Sequence, residues 1–166
     1  MYIKKASLND LEPIMDLYEN ARRFMRVHGN PDQWGTSYPP VNLVKEGIEA
    51  GNTYLCIDDI EYTIDEEIAA VFFYKEGIDP TYLHISDGQW LNDKPYGVVH
   101  RITSTGKVPG TASFCLNWAY NQCKNLKIDT HKDNVAMQKL LAKNGFTYCG
   151  IIHTEDDSER LAYQKC

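Results

Sequence analysis

The feature that most constrains this chain is a strand, a loop and a helix met twice in succession. Val98, Val99 and Ile102 form an apolar strand-like run, Lys107 to Ala112 follow as a loop, and Thr111 to Lys124 have helical spacing. Within that helix Ala112, Cys115, Leu116, Ala119 and Cys123 make one apolar stripe fit to lie on a sheet. A second strand, Leu126 to His131, leads through Asp133 and Asn134, an N-cap, into a helix carrying Ala136, Met137, Leu140 and Leu141, which Asn144–Gly145–Phe146 stops. The first loop sits at a helix N-terminus, where first-turn N–H groups lack intrahelical partners and the dipole is positive, so an anion such as a pyrophosphate suits it. Gly110 lets a ligand approach the backbone and Lys107 adds a cation. The competing reading of the same residues is an ordinary strand-to-helix turn.

These residues resemble the GNAT superfamily of N-acetyltransferases. The family's acyl-CoA loop, Gln/Arg-x-x-Gly-x-Gly/Ala, fits Lys107 to Ala112 apart from Lys at the first position. Its later Asn-x-x-Ala segment, which ends before Gly-Phe, is similar to Asn134, Ala136 (one position early), Gly145 and Phe146. The likeness covers Val98 to Phe146, and the remainder by element order. It implies an α/β (α+β) acyl-CoA N-acyltransferase fold: a mixed, mostly antiparallel sheet of about six or seven strands with one splayed pair, flanked by about four helices. A single domain over residues 1–166 is expected.

The resemblance implies acetyl-CoA as cosubstrate and a primary amine as acceptor, joined by direct attack in a ternary complex, with no metal. Ile102, Thr103 and Ser104 would offer backbone groups to the pantetheine amides, and Lys107, Val108, Gly110, Thr111 and Ala112 would hold the diphosphate, with Asn134 beside them. An amine of pKa ~10.4 must lose a proton before it attacks. His131, then His100, are the candidate bases, on the two strands flanking the gap, with Asp129 or Glu76 acting through water as alternatives; a purely structural hydrogen bond is the competing role for each histidine. The Tyr with which many members protonate the leaving thiolate falls at Leu141, which has no proton to give. Its role is vacant, or moved to Tyr148, Tyr163 or solvent.

A formal net charge of -6 argues against a nucleic-acid partner, which demands a basic face, and suits a cationic or neutral acceptor. Five cysteines without Cys-x-x-Cys spacing read as reduced residues of a cytoplasmic protein rather than staples or zinc ligands. No apolar run suggests a secretion signal or a membrane span. Whether the chain forms a homodimer stays open.

Elsewhere, Tyr2 to Lys5 read as a strand, and Ser7 with Asp10 as a capping box for a helix striped by Leu11, Ile14, Met15, Tyr18 and Ala21. His28 to Pro40 are a loop whose Trp34 and Tyr38 line an acceptor groove or pack as anchors. Val41 to Ala50 are a second helix; Thr53 to Ile57 and Ile68 to Tyr74 are strands joined by an acidic hairpin tip (Asp58, Asp59, Glu61, Asp65, Glu66, Glu67). Glu76 to Tyr96 pack over one sheet edge, with Trp90 and Tyr96 walling a pocket or joining the core. Val98 to Ser104 alternate as a strand in which His100 and Arg101 stand out, the Arg expected to pair with a carboxylate. Tyr148 to His153 and Arg160 to Lys165 make a final antiparallel pair. The rival functional class is a catalytically weak acyl-CoA-binding or protein-interaction module on the same fold.

Overall fold

The computed structural model describes residues 1–59 and 67–166. Its elements are β1 (Tyr2–Lys5), α1 (Leu11–Val27), α2 (Val41–Glu49), β2 (Thr53–Asp58), β3 (Glu67–Glu76), β4 (Gly97–Ser104), α3 (Thr111–Cys123), β5 (Leu126–Thr130), α4 (Val135–Lys143), β6 (Thr147–His153) and β7 (Glu159–Lys165). The seven strands form one sheet in the order β1-β2-β3-β4-β5-β7-β6. All neighbours run antiparallel except β4 and β5, which α3 joins as a crossover. Glu61, Asp65 and Glu66 of the expected acidic hairpin tip lie outside the described residues, while β2 and β3 pair as that hairpin requires.

The two sheet faces are covered by different helices. On one, Ile14 and Tyr18 of α1 and Val44 and Ile48 of α2 bury Leu55, Ile57 and Val71. On the other, Cys115, Leu116 and Ala119 of α3 and Leu141 of α4 pack on Cys56, Ala70, Phe72, Val99, Leu126 and Ile128. Both stripes are those of the sequence periodicity. Ser7 donates from its N–H and Oγ to Asp10 Oδ2 at 2.7 and 2.8 Å, so the capping box forms, but it sets a single 3-10 turn before α1 begins. The Glu76–Tyr96 connection covers the sheet as expected: Ser86 bridges Ile151 on the outer strand β6, and Tyr82 packs on Val98, Ile152 and Ala162.

One strand departs from its sequence pattern. Phe73 pairs with His100 and Val71 with Thr103, so Arg101 and Ile102 together face Phe72, and Arg101 takes a φ of 54°. This is a β-bulge, which breaks the strict alternation expected for Val98 to Ser104 and bends the strand. The Arg101 guanidinium lies over the Phe73 ring at 4.8 Å rather than on a carboxylate. Burial pushes the Tyr18 phenol up to about 12, and the Arg101 charge and hydrogen bond pull partly against that shift.

Candidate active site

The site is built where β4 and β5 part. They pair only at Gly97 with Leu126 and Val98 with Lys127. Beyond that, β4 stays with β3 as far as Ser104 and β5 with β7 as far as Thr130, so the bulged half of β4 leaves its parallel neighbour. The opening is a cavity of about 680 Å³, within the range of small-molecule sites. Val99 to Ile102 form one wall and Ile128 to Thr130 the other. Trp34 and Tyr38 close it from the α1–α2 loop, Asn134 and Met137 from α4, and Arg160 from β7. Trp34 packs edge-on against Tyr18, with ring centroids 5.7 Å apart, which fixes the loop over the opening.

His100 stands on this wall between two carboxylates. Its Nε2 is 2.7 Å from Asp79 Oδ2, and its Nδ1 is 3.7 Å from Asp129 Oδ1. Asp79 Oδ1 accepts from the Thr81 N–H at 2.9 Å and the Thr81 hydroxyl at 2.7 Å. Burial alone would raise the Asp79 carboxyl, but His100 and Thr81 outweigh it and hold the group at about 2. Asp129 Oδ1 accepts from the Tyr82 hydroxyl at 2.7 Å, and burial with that carboxylate drives the Tyr82 phenol well above its ordinary value. An imidazole oriented by a carboxylate and lining a cavity is a candidate general base.

The N-terminus of α3 is a different environment. Gly110 caps α3 with a φ of 84°, no side chain caps the first-turn N–H groups, and a Cβ there would meet nothing within 4 Å. An uncapped helix N-terminus with free space before it fits an anionic group such as a diphosphate. Thr111 is buried and donates its hydroxyl to the Val108 carbonyl at 2.8 Å, closing the turn. Lys107 reaches Glu67 at the start of β3. Thr103, Ser104 and the loop from Lys107 to Ala112 lie off the cavity wall, and Ile102 is on it. Asn134 caps α4, accepting from the Met137 N–H at 3.1 Å and donating to Gln33 Oε1 at 2.9 Å.

The structure places several of the expected site residues away from the cavity wall. His131 follows the last residue of β5 and is not on the cavity wall; its Nδ1 accepts the Asp133 N–H at 3.2 Å, and burial, then Arg160, push its pKa down. Trp90 also lies off the wall: its indole N–H donates to the Tyr82 carbonyl at 2.9 Å, and the Lys127 ammonium sits 4.2 Å over its ring. Glu76 accepts from Tyr74 at 3.0 Å, away from the opening. Leu141 is fully buried in the core, and Tyr148 and Tyr163 pack on each other outside the cavity. Sequence reasoning missed Asp79, Thr81, Gln33 and Arg160. Asp79 preceding Pro80 is a turn-capping signal, and its side chain does accept from Thr81, but nothing in the sequence links it to His100.

Comparison with solved structures decides the family. A GNAT-family acetyltransferase from Streptococcus agalactiae is 31% identical over 99% of this chain and 94% of its own, with a TM-score of 0.87. This chain belongs to the GNAT family of acetyltransferases. More distant GNAT-like structures share the fold alone. The ribosomal-protein-alanine N-acetyltransferase of Brucella melitensis is 14% identical over 99% of both chains, with a TM-score of 0.64. A chain of the NatC complex bound to Gag peptide and CoA is 12% identical over 99% of this chain and 96% of its own, with a TM-score of 0.61. No protein-family model and no curated protein matches the sequence. The GNAT relation supports acetyl transfer in general as this chain's chemistry. Among the described residues no helix is long and apolar enough to cross a membrane.

Proposed function

We propose that residues 1–166 form one catalytic domain that transfers the acetyl group of acetyl-CoA to a primary amine by direct attack, with both substrates bound together. The observation that carries this reading is His100, held between Asp79 and Asp129 on the wall of the cavity formed where β4 and β5 part. Acetyl-CoA supplies an activated acyl carbon and a good leaving group. His100 takes the proton that an ammonium must lose, and the Asp79 carboxylate steadies the imidazolium that results. The bulge at Arg101 leaves backbone without a strand partner on the cavity side, a place where an N–H can polarise the thioester carbonyl. The N-terminus of α3, with Val108, Gly110, Thr111 and Ala112, receives the diphosphate; Lys107 adds charge from its place beside Glu67, and Asn134 borders the route. The free edge of β4 from Ile102 to Ser104 is available to the pantetheine amides. Trp34 and Tyr38 line the acceptor side.

A chain of the NatC complex, which was solved with CoA bound, shares the fold, and this supports CoA as the cosubstrate. The test is release of free thiol from acetyl-CoA in the presence of pooled amines, in the wild type and in His100→Gln. Amine-dependent release that falls in the variant supports the reading. CoA binding without turnover favours the weak binding module instead, and no heat on titration with CoA overturns both.

A further inference from the structure

Arg160 stands near the start of β7, keeps 9% of its surface exposed and lines the 680 Å³ cavity together with His100. A guanidinium so far out of water is costly unless an anion accompanies it. Among the described residues no carboxylate forms an ion pair with it. Its Nη1 donates to the Glu159 carbonyl at 3.0 Å and its Nη2 to the Gln33 carbonyl at 3.4 Å, neutral acceptors that leave the charge uncompensated. Asp156, an acid of the preceding turn, has its Oδ1 held by the Thr154 hydroxyl and, at 3.2 Å, by the Ser158 N–H. Arg101, the other guanidinium of the cavity lining, is differently placed: it lies over the Phe73 ring and hydrogen-bonds the Tyr18 phenol.

Strand register relates Arg160 to the candidate base. Asp129, the carboxylate 3.7 Å from His100 Nδ1, pairs across β5 and β7 with Ala162. Arg160 is two residues from Ala162, so it shares the sheet face of Asp129, about 7 Å further along the strand. A small molecule whose amine meets His100 can therefore present a second group to Arg160. The sign of that group is set by the guanidinium, and its size of charge by the rest of the lining. Asp32, Asp79, Asp129, Glu155 and Asp156 line the same space, which disfavours a doubly charged anion such as a phosphate and leaves a single carboxylate as the partner that fits.

We propose that the acceptor is a free amino acid, its carboxylate received by Arg160 while its amine faces His100. The inference rests on the acyl-transfer reading of the cavity and names its substrate class. In the transfer the ammonium gives a proton to His100, the N–C bond forms, and the C–S bond breaks with its electron pair staying on sulfur. The carboxylate is unchanged. A neutral zwitterion enters and a monoanion leaves, so the surrounding carboxylates assist release of the product.

The experiment measures thiol release from acetyl-CoA with a pool of α- and ω-amino acids and with the same pool as carboxamides, in the wild type, Arg160→Gln and Arg160→Lys. The wild type should favour the acids roughly 100-fold in kcat/KM, the usual scale for a buried charge pair broken on one side. Arg160→Gln should lose that preference, chiefly through KM, because the carboxylate is bound alike before and during the reaction. Arg160→Lys should lose about a factor of ten, since an ammonium cannot make the parallel pair of bonds that a guanidinium makes. CoA affinity, read by calorimetry, should be the same in all three proteins. Equal use of acids and carboxamides by the wild type overturns the proposal while leaving acyl transfer intact, and so does either variant that keeps the full preference. A tenfold loss of CoA affinity in Arg160→Gln overturns it by giving the guanidinium to the cosubstrate. Absence of amine-dependent release with both pools in the wild type overturns the transferase reading itself.

Discussion

The two strand-to-helix units on either side of the opening are written in the same local grammar and end in opposite states. β4 carries His100 on the cavity wall and leads to α3, whose N-terminus is a bare Gly110 facing open space. β5 leads past His131, which is off the wall, to α4, whose N-terminus is closed by the Asn134 side chain. One unit leaves its backbone donors uncapped and sets its imidazole on the cavity wall, and the other caps its donors and keeps its imidazole off that wall. Availability, rather than residue type, separates a functional helix terminus from a structural one.

The largest effect that tests this contrast is on turnover. His100→Gln should lower kcat/KM for the amine by about 10²- to 10⁴-fold, the usual value of a general base, while His131→Gln should change it only a few fold. Equal losses in steady-state thiol release would erase the distinction between the two histidines. Next are the helix termini. Gly110→Val places a side chain at a left-handed φ, costing about 1–2 kcal/mol, and intrudes on the proposed diphosphate position, so calorimetry should show at least a tenfold loss of CoA affinity. Asn134→Ala should cost about 1 kcal/mol of stability through the lost cap, read as a lower melting temperature, with a smaller loss of CoA affinity than Gly110→Val.

The smallest effects are in the pH dependence of stability. Asp79 is held at about 2 when folded, against ~3.9 for a free carboxyl, so its contribution is full above pH ~3.9 and is lost as the pH falls toward 2. Asp79→Asn should flatten acid unfolding in that window. The lowered pKa of His131 means that the unfolded chain binds its proton more readily, so stability should begin to fall as the pH drops below ~6.5. His131→Gln should remove that step from a pH series of melting curves.

Much of the scaffold was legible because burial writes itself into spacing. Cys115, Leu116 and Ala119 of the expected stripe lie on the sheet, and the Asn134 cap and the Gly110 turn occur where residue chemistry requires them. The bulge at Arg101 was not legible, since Val98 to Ser104 alternate as a regular strand would; the misfit appears only when β3 is laid beside them. Nor could spacing tell His100 from His131. That choice depends on Asp79, 21 positions away from His100 along the chain, and on where the parting strands leave room.

The sequence by itself determined the strand-loop-helix order, the faces each helix buries and the anion-ready turn, because these depend on residues within one or two turns of each other. Only the tertiary structure decided which imidazole faces the cavity, which carboxylates hold it and which buried guanidinium lines the same space. Those outcomes depend on distances between strands that are far apart in the chain, and no local periodicity encodes them.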